Sequence, residues 1–300
     1  MEPSLSPELT RARGLLSHLV SEPDATMDDY RKLYDEVLAN FTPPQDAAIE
    51  PVDANGVPCI WVSAPGSDPT LVTLFVHGGG WCMGNAYGYR ELGYRLSAAS
   101  GSRVLVVDYR LAPENPFPAP LDDVVIAYRW ARDLEGVREV ALAGDSAGGG
   151  LVAGAAVALR DASETAPTCV VAMSPLVDLA GEGASLMERA DVDPLPAAAL
   201  VAGMGAAYLA GREPKQTPLA SPLYADLSGL PPFLVLVGTD EGLYDDSTRL
   251  VEKIRDRGGD ATLEVGESMI HIWPLFNFLP EAASAVELIG NFLSKRFADN

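Results

Sequence analysis

The run Val140-Ala141-Leu142-Ala143-Gly144-Asp145-Ser146-Ala147-Gly148-Gly149-Gly150-Leu151-Val152-Ala153 decides how this chain is read. Its first four residues have the apolar character of a buried strand. Its last part, continuing through Gly154, Ala155 and Ala156, has a small-residue helix pattern. Between them lies G-x-S-x-G. In a strand-turn-helix context this motif lifts a serine hydroxyl to the tip of a strained bend, and glycines flank it because side chains there would strike the strand or the helix. The motif alone occurs by chance in many chains. The context makes Ser146 the candidate nucleophile.

A second stretch, His77-Gly78-Gly79-Gly80-Trp81, follows the strand-like Leu71-Val72-Thr73-Leu74-Phe75-Val76. Three glycines after a strand also suit an ordinary tight turn. Beside an elbow they acquire a use, because acyl transfer from a serine needs N–H donors where the tetrahedral oxyanion forms. The loop supplies such donors from bare backbone, and the N–H of Ala147 adds a third. Removing one donor of this kind typically costs roughly 10²–10³ in turnover.

A nucleophilic serine needs a base, and the chain has three histidines. His18 sits in an amphipathic N-terminal segment and His77 opens the glycine loop. His271, in Ser268-Met269-Ile270-His271-Ile272-Trp273, follows the strand-like Ala261-Thr262-Leu263-Glu264-Val265 and fits the chain order serine, acid, histidine. The orienting acid is expected after Phe233-Leu234-Val235-Leu236-Val237, where Asp240 and Glu241 stand side by side. Neighbouring side chains diverge, so one of the two faces the histidine. The residues themselves leave both open.

These motifs, with Asp108-Tyr109-Arg110-Leu111-Ala112-Pro113-Glu114, Pro116-Phe117-Pro118-Ala119, Leu121-Asp122-Asp123, Ser174-Pro175-Leu176-Val177-Asp178-Leu179, Asp193-Pro194 and Ala220-Ser221-Pro222-Leu223, resemble the hormone-sensitive-lipase-like esterases (bacterial family IV) of the α/β-hydrolase fold. The resemblance covers most of the chain beyond the N-terminal segment. Aligning the family's D-P-L-R-D with Glu241-Gly242-Leu243-Tyr244-Asp245 implies Glu241 as the triad acid, with Asp240 as runner-up on the other side of the loop. A glutamate here departs from the commoner aspartate, which the triad tolerates. The resemblance further implies that Gly79 and Gly80 join Ala147 at the oxyanion, while His77 and Gly78 shape the loop and Gly78 stays a further candidate donor.

It also implies that residues 1–45 and 181–215 meet as a helical cap over the serine, within a single domain spanning 1–300. Candidate pocket residues are Trp81, Met83, Met204 and Tyr208. A fixed cap favours short-chain or alicyclic esters, hydrolysed by a serine mechanism with no metal or organic cofactor. A lactone hydrolase or small-molecule deacetylase would share the mechanism. A non-catalytic receptor, as plant gibberellin receptors became by losing the triad histidine, is disfavoured by the presence of His271. Pairing through the last edge strand, near Ala261–Val265, is the family's usual route to a homodimer.

The rest of the chain agrees with this reading. With 300 residues and 48% apolar composition it is long enough to bury a large core in one α/β unit. Apolar runs before His77, Asp108, Gly144, Ser174 and Gly238 alternate with helical patterns, which argues for a mainly parallel sheet with helices on both faces. A preceding pair, 47–52 and 57–62, joined by Asp53-Ala54-Asn55-Gly56, reads as an edge hairpin. Amphipathic helices are expected at Leu9–Leu19 and Met27–Leu38, and others at Ala197–Met204 and Glu281–Phe297. Asp108-Tyr109-Arg110 reads as a brace, and Asp122-Asp123 as first-turn carboxylates that the helix dipole favours.

A net charge of −21 disfavours nucleic acid and anionic lipid as partners. Met1-Glu2-Pro3-Ser4 lacks the features of a secretory leader, and no run approaches the ~18 apolar residues of a spanning helix. Three unpatterned cysteines (Cys59, Cys82, Cys169) suit reduced thiols, so a cytoplasmic location is expected. Cys82, beside the glycine loop, reads as a small hydrophobe rather than a reactive thiol.

Overall fold

Each apolar run becomes a strand because both of its faces find cover. A computed structural model describes residues 5–22 and 25–299. Residues 1–4, on which the expectation about a secretory leader rests, Pro23-Asp24 and Asn300 lie outside the described residues. The strands are β1 (Ala48–Ala54), β2 (Val57–Ser63), β3 (Asp68–Val76), β4 (Ser102–Val107), β5 (Glu139–Asp145), β6 (Val170–Met173), β7 (Phe233–Gly238) and β8 (Ala261–Gly266). They form one sheet in the order β1-β2-β4-β3-β5-β6-β7-β8. β2 runs antiparallel to both its neighbours, and the other strands from β4 to β8 are parallel. The edge hairpin forms because Asn55 and Gly56 both adopt positive φ, the twist that a two-residue turn needs. Asp53 fixes the turn by accepting the Gly56 N–H at 2.6 Å.

From β3 the chain steps outward to β4, then crosses back past β3 to β5 and continues one way to β8. Right-handed crossovers in opposite directions place their helices on opposite faces. Hence α3 (Arg90–Ser100), between β3 and β4, lies opposite α4 (Ala119–Arg132), α5 (Ala147–Asp161) and α8 (Tyr244–Asp256). The closing helix α9 (Pro280–Asp299) packs against α3. In open α/β sheets the ligand site lies beyond the carboxyl ends of the strands where the winding reverses. Here that point is β3 beside β5, and the register pairs Val76 with Gly144. The two glycine motifs therefore leave the sheet side by side at the same level.

Three further helices lie over this end. α1 (Pro7–His18) and α2 (Met27–Leu38) precede the sheet, and α7 (Ala197–Leu209) follows the short α6 (Ser185–Glu188). α2 opens with a capping box, Thr26 and Asp29 each accepting the other's backbone N–H. It buries Leu33, Tyr34, Val37 and Leu38, each worth about 1.5–3 kcal/mol for a large apolar side chain. α7 runs past the expected Met204 to Leu209, where Ala210 turns left-handed ahead of Gly211. Among the described residues no helix is long and apolar enough to cross a membrane.

Candidate active site

Ser146 occupies the bend between β5 and α5 with φ 53° and ψ −120°, outside the regions favoured by L-residues. The surroundings impose that strain. Ser146 N–H donates to Met173 O at 2.8 Å, and its carbonyl accepts from Leu176 and Gly150. Gly148 must be bare, since a Cβ there would lie 2.1 Å from the Val76 carbonyl. The bend thus presses against the end of β3, and the side chain of residue 146 has only the cavity to enter.

His271 reaches that hydroxyl from the loop after β8. Its Nε2 lies 2.9 Å from Ser146 Oγ and its Nδ1 lies 2.7 Å from Glu241 Oε2. The other carboxylate oxygen of Glu241 accepts from the Ser174 hydroxyl at 2.8 Å and from the Gly238 N–H at 2.6 Å. Ser174 in turn accepts the Ile272 N–H at 3.0 Å. Acid, base loop and β6 are thereby held by one buried hydroxyl. Burial opposes charge on His271, yet the Glu241 hydrogen bond and charge, with Asp193 and Asp145 nearby, outweigh it and raise its pKa above the ordinary value.

Asp240 points the other way. It lies 3.3 Å from Arg13 of α1, on the outer side of the loop. The divergence of neighbouring side chains separates the two carboxylates, and Glu241 is the one at the histidine. The motif Ser174-Pro175-Leu176-Val177-Asp178-Leu179 does not by itself assign Ser174 its bridging part between Glu241 and Ile272. A polar residue ending a buried strand was the available signal.

The glycine loop brings its backbone to the same place. Among the described residues, nothing accepts a hydrogen bond from the N–H of Gly79, Gly80 or Ala147. Gly78 is different. Its N–H donates to Asp145 Oδ1 at 2.9 Å, so it is corrected from candidate oxyanion donor to anchor of the loop. His77 is buried, which lowers its pKa to about 4, and its neutral ring bonds the Gly78 carbonyl through Nδ1 and stacks on Tyr109 at 4.3 Å. Asp145 beside the serine is engaged by Gly78 and Tyr89, and burial pushes it up to about 7. Asp108-Tyr109-Arg110 braces the surroundings: Asp108 accepts Ala86 N–H, Tyr109 donates to His77 O, and Arg110 grips Asp123. Cys82 is buried and its thiol is pushed up to about 12, far from thiolate.

Ser146, His271, Gly79 and Gly80 line one cavity of about 740 Å³, its open mouth included. Met83 and Met204 lie in its wall as expected. Trp81 and Tyr208 do not. They stack on each other behind the wall, ring centroids 4.4 Å apart and planes 3° apart, both nearly inaccessible to solvent. Offset or parallel contact between two aromatic faces removes both rings from solvent, which places them in the packing behind the wall. Leu16, Leu19 and Val20, Tyr30 and Tyr34 of α2, and Leu195, Leu200 and Val201 also line the cavity. Asp193 also lines the cavity, with both carboxylate oxygens bonded to the Leu195 and Gly242 N–H groups.

Similarity to known proteins follows the same outline. A family model described as the alpha/beta hydrolase fold matches residues 73–275. The chain is 38% identical to an acetyl-hydrolase of Streptomyces hygroscopicus over 96% of both chains. It is 32% identical to an esterase of Acinetobacter venetianus over 87% of both. A crystal structure of an esterase from the bacterial hormone-sensitive lipase family superposes with a TM-score of 0.93 at 45% identity, covering 98% of this chain and 99% of that one. With the sheet order and the elbow already in view, the chain belongs to the hormone-sensitive-lipase-like (family IV) esterases of the α/β-hydrolase fold and is a carboxylic ester hydrolase.

Proposed function

We propose that Ser146, His271 and Glu241 are the catalytic triad of a serine carboxylesterase, with Gly79, Gly80 and Ala147 as its oxyanion donors. The observation that carries this reading is His271, whose two ring nitrogens stand 2.9 Å from the serine oxygen and 2.7 Å from the glutamate. His271 Nε2 takes the Ser146 proton as Oγ bonds to the ester carbonyl carbon. The carbonyl oxygen becomes an oxyanion held by the three free N–H groups. The imidazolium then protonates the leaving alcohol oxygen as its bond to carbon breaks, leaving an acyl-serine. Water, deprotonated by the same histidine, repeats the sequence and releases the acid. Glu241 stays ionised, fixing the tautomer and stabilising the imidazolium.

Short-chain or alicyclic esters are the substrates this reading favours. The wall is mostly apolar, and helices from residues 1–45 and 181–215 stand over the serine as a cap within one domain spanning 1–300. A second reading, removal of an acetyl group from a small molecule, is supported by the similarity to the Streptomyces acetyl-hydrolase. The three buried, unbridged cysteines support a cytoplasmic location. β8, the last strand of the sheet, leaves an edge with Val265 exposed, which supports pairing of two copies there.

The test is hydrolysis of p-nitrophenyl acetate, butyrate, octanoate and laurate, with lactones and acetanilides alongside. The shorter esters are expected to turn over fastest, and Ser146→Ala to abolish turnover in folded protein. Laurate preferred over butyrate would overturn the capped-pocket reading. An unchanged rate in Ser146→Ala would overturn the triad.

A further inference from the structure

Behind the glycine loop, a line of buried hydroxyls connects α2 to the elbow. Tyr34 Oη and Tyr89 Oη are 2.5 Å apart, and Tyr89 donates to Asp145 Oδ2 at 2.8 Å. Asp145 Oδ1 accepts the Gly78 N–H at 2.9 Å. Tyr34, Tyr89 and Asp145 are each at most 3% exposed. Tyr89 has one proton and gives it to Asp145, so in its contact with Tyr34 it must accept. The order is therefore Tyr34 to Tyr89 to Asp145, with Gly78 closing on the carboxylate from the loop.

The ring of Tyr34 also touches the loop directly. Gly79 has φ +108°, and a Cβ there would lie 3.2 Å from Tyr34 Cε1 and 2.3 Å from the Met83 carbonyl. One turn earlier on α2, Arg31 donates through Nε to the Cys82 carbonyl at 2.9 Å. Cys82 and Met83 close the same turn by donating to the Gly79 carbonyl. α2 thus holds both ends of the segment whose middle carries the Gly79 and Gly80 N–H groups.

We propose that Tyr34 is a positioning residue through which the cap helix α2 sets the aim of the oxyanion donors. Its ring limits how far Gly79 can move towards the cavity. Its hydroxyl steadies the Tyr89–Asp145 pair that fixes the preceding peptide. Peptide planes in sequence share their pivots, so a tilt at Gly78 turns the donors after it. Small misplacements of this kind cost large factors in rate. The proposal rests on the triad and oxyanion reading above.

Tyr34→Phe keeps the ring and removes only the hydroxyl. It is expected to lower kcat about 10-fold with KM unchanged. The factor should be the same for acetate, butyrate and octanoate, because every ester forms the same oxyanion. Tyr89→Phe is expected to lose more, and the double variant no more than Tyr89→Phe alone, since Tyr34 acts through Tyr89. A loss that varies with acyl length, or a raised KM at unchanged kcat, would make Tyr34 a wall residue only and overturn the proposal, as would additive losses in the double variant. If Tyr89→Phe fails to fold, the acyl-length series on Tyr34→Phe decides alone. An inactive wild type refutes the esterase reading, whereas an active wild type with an indifferent Tyr34→Phe refutes only this inference.

Discussion

The floor of the cavity and its roof are fastened in different ways. Ser146, Glu241 and His271 stand on loops that leave the parallel strands β5, β7 and β8, and buried hydrogen bonds such as Ser146 N–H to Met173 O and Gly238 N–H to Glu241 tie those loops to the sheet. α1, α2 and α7 reach the same space as helices, held mainly by packing and by a few side-chain contacts: Arg13 to Asp240, Arg31 to Cys82, Asp193 to Gly242. A floor fixed by the sheet can hold reacting atoms to within fractions of an ångström. A roof of packed side chains can change its shape without moving them. The floor should therefore set how fast any ester reacts, and the roof, apart from the contact of Tyr34 with the glycine loop, should set which ester fits.

Two neighbouring residues offer the sharpest break. Glu241 belongs to the floor and Asp240 to the roof's fastening. Glu241→Ala removes the partner of His271 and strands the Ser174 hydroxyl and Gly238 N–H without an acceptor. A loss of about 10³–10⁴ in kcat is expected, as when the orienting acid is lost from other triads. Asp240→Ala breaks an ion pair with Arg13 that is about a fifth exposed on each side. Such pairs contribute at most about 1 kcal/mol, so kcat should change little. Steady-state kinetics on both variants with p-nitrophenyl butyrate decide the matter. Comparable losses in the two would erase the distinction between floor and roof at this loop.

The two regions also differed in how legible they were. Ser146, His271 and the glycine loop could be found because local chemistry forces their sequence: the elbow and the loop need glycine, and the histidine proposed as base had two rivals in the sequence. The sheet followed from apolar runs at regular spacing. The roof obeys no such rule. Trp81 and Tyr208 were expected in the pocket on size and proximity, yet they stack on each other behind its wall. That choice depends on how α7 lies over the loop, which no local pattern encodes. Gly78 failed for a similar reason, its N–H being claimed by Asp145, 67 positions away. Glu241 over Asp240 sat between these cases: residue type left both open, the family's register implied Glu241, and Glu241 is the one that lies 2.7 Å from His271 Nδ1.

Electrostatics reaches across the boundary, and a pH profile measures it. The raised pKa of His271 means more of it is protonated, and idle as a base, at a given pH near neutrality. kcat/KM should therefore fall about tenfold per unit as pH drops below a midpoint that lies above the ordinary histidine value. Of the charges that raise it, Glu241 and Asp145 belong to the floor, while Asp193 comes from the segment before α7. Asp193→Asn removes a negative charge facing the imidazole and keeps one acceptor for the Gly242 N–H. The acid limb should move to lower pH with the plateau rate preserved. An unmoved limb would confine the base's electrostatics to the floor.

The smallest expected effect falls on Met204, where α7 packs directly on the glycine loop. Its side chain packs on Gly80 so closely that a Cβ on that glycine would lie 2.0 Å from Sδ. It also lines the cavity. Met204→Ala opens space beside the donor loop, where a longer acyl chain can lie. A methylene gained in an apolar pocket is worth roughly 1–3 kcal/mol at best, so the kcat/KM ratio of octanoate to acetate should rise on the order of 10-fold. The rate on acetate, which does not fill the space, should stay close to that of the wild type. If instead all esters slow by one factor, Met204 acts by pressing Gly80 into place. The oxyanion loop would then owe its geometry to α7 as well as to α2, and the division between a floor that reacts and a roof that selects would hold only for the triad.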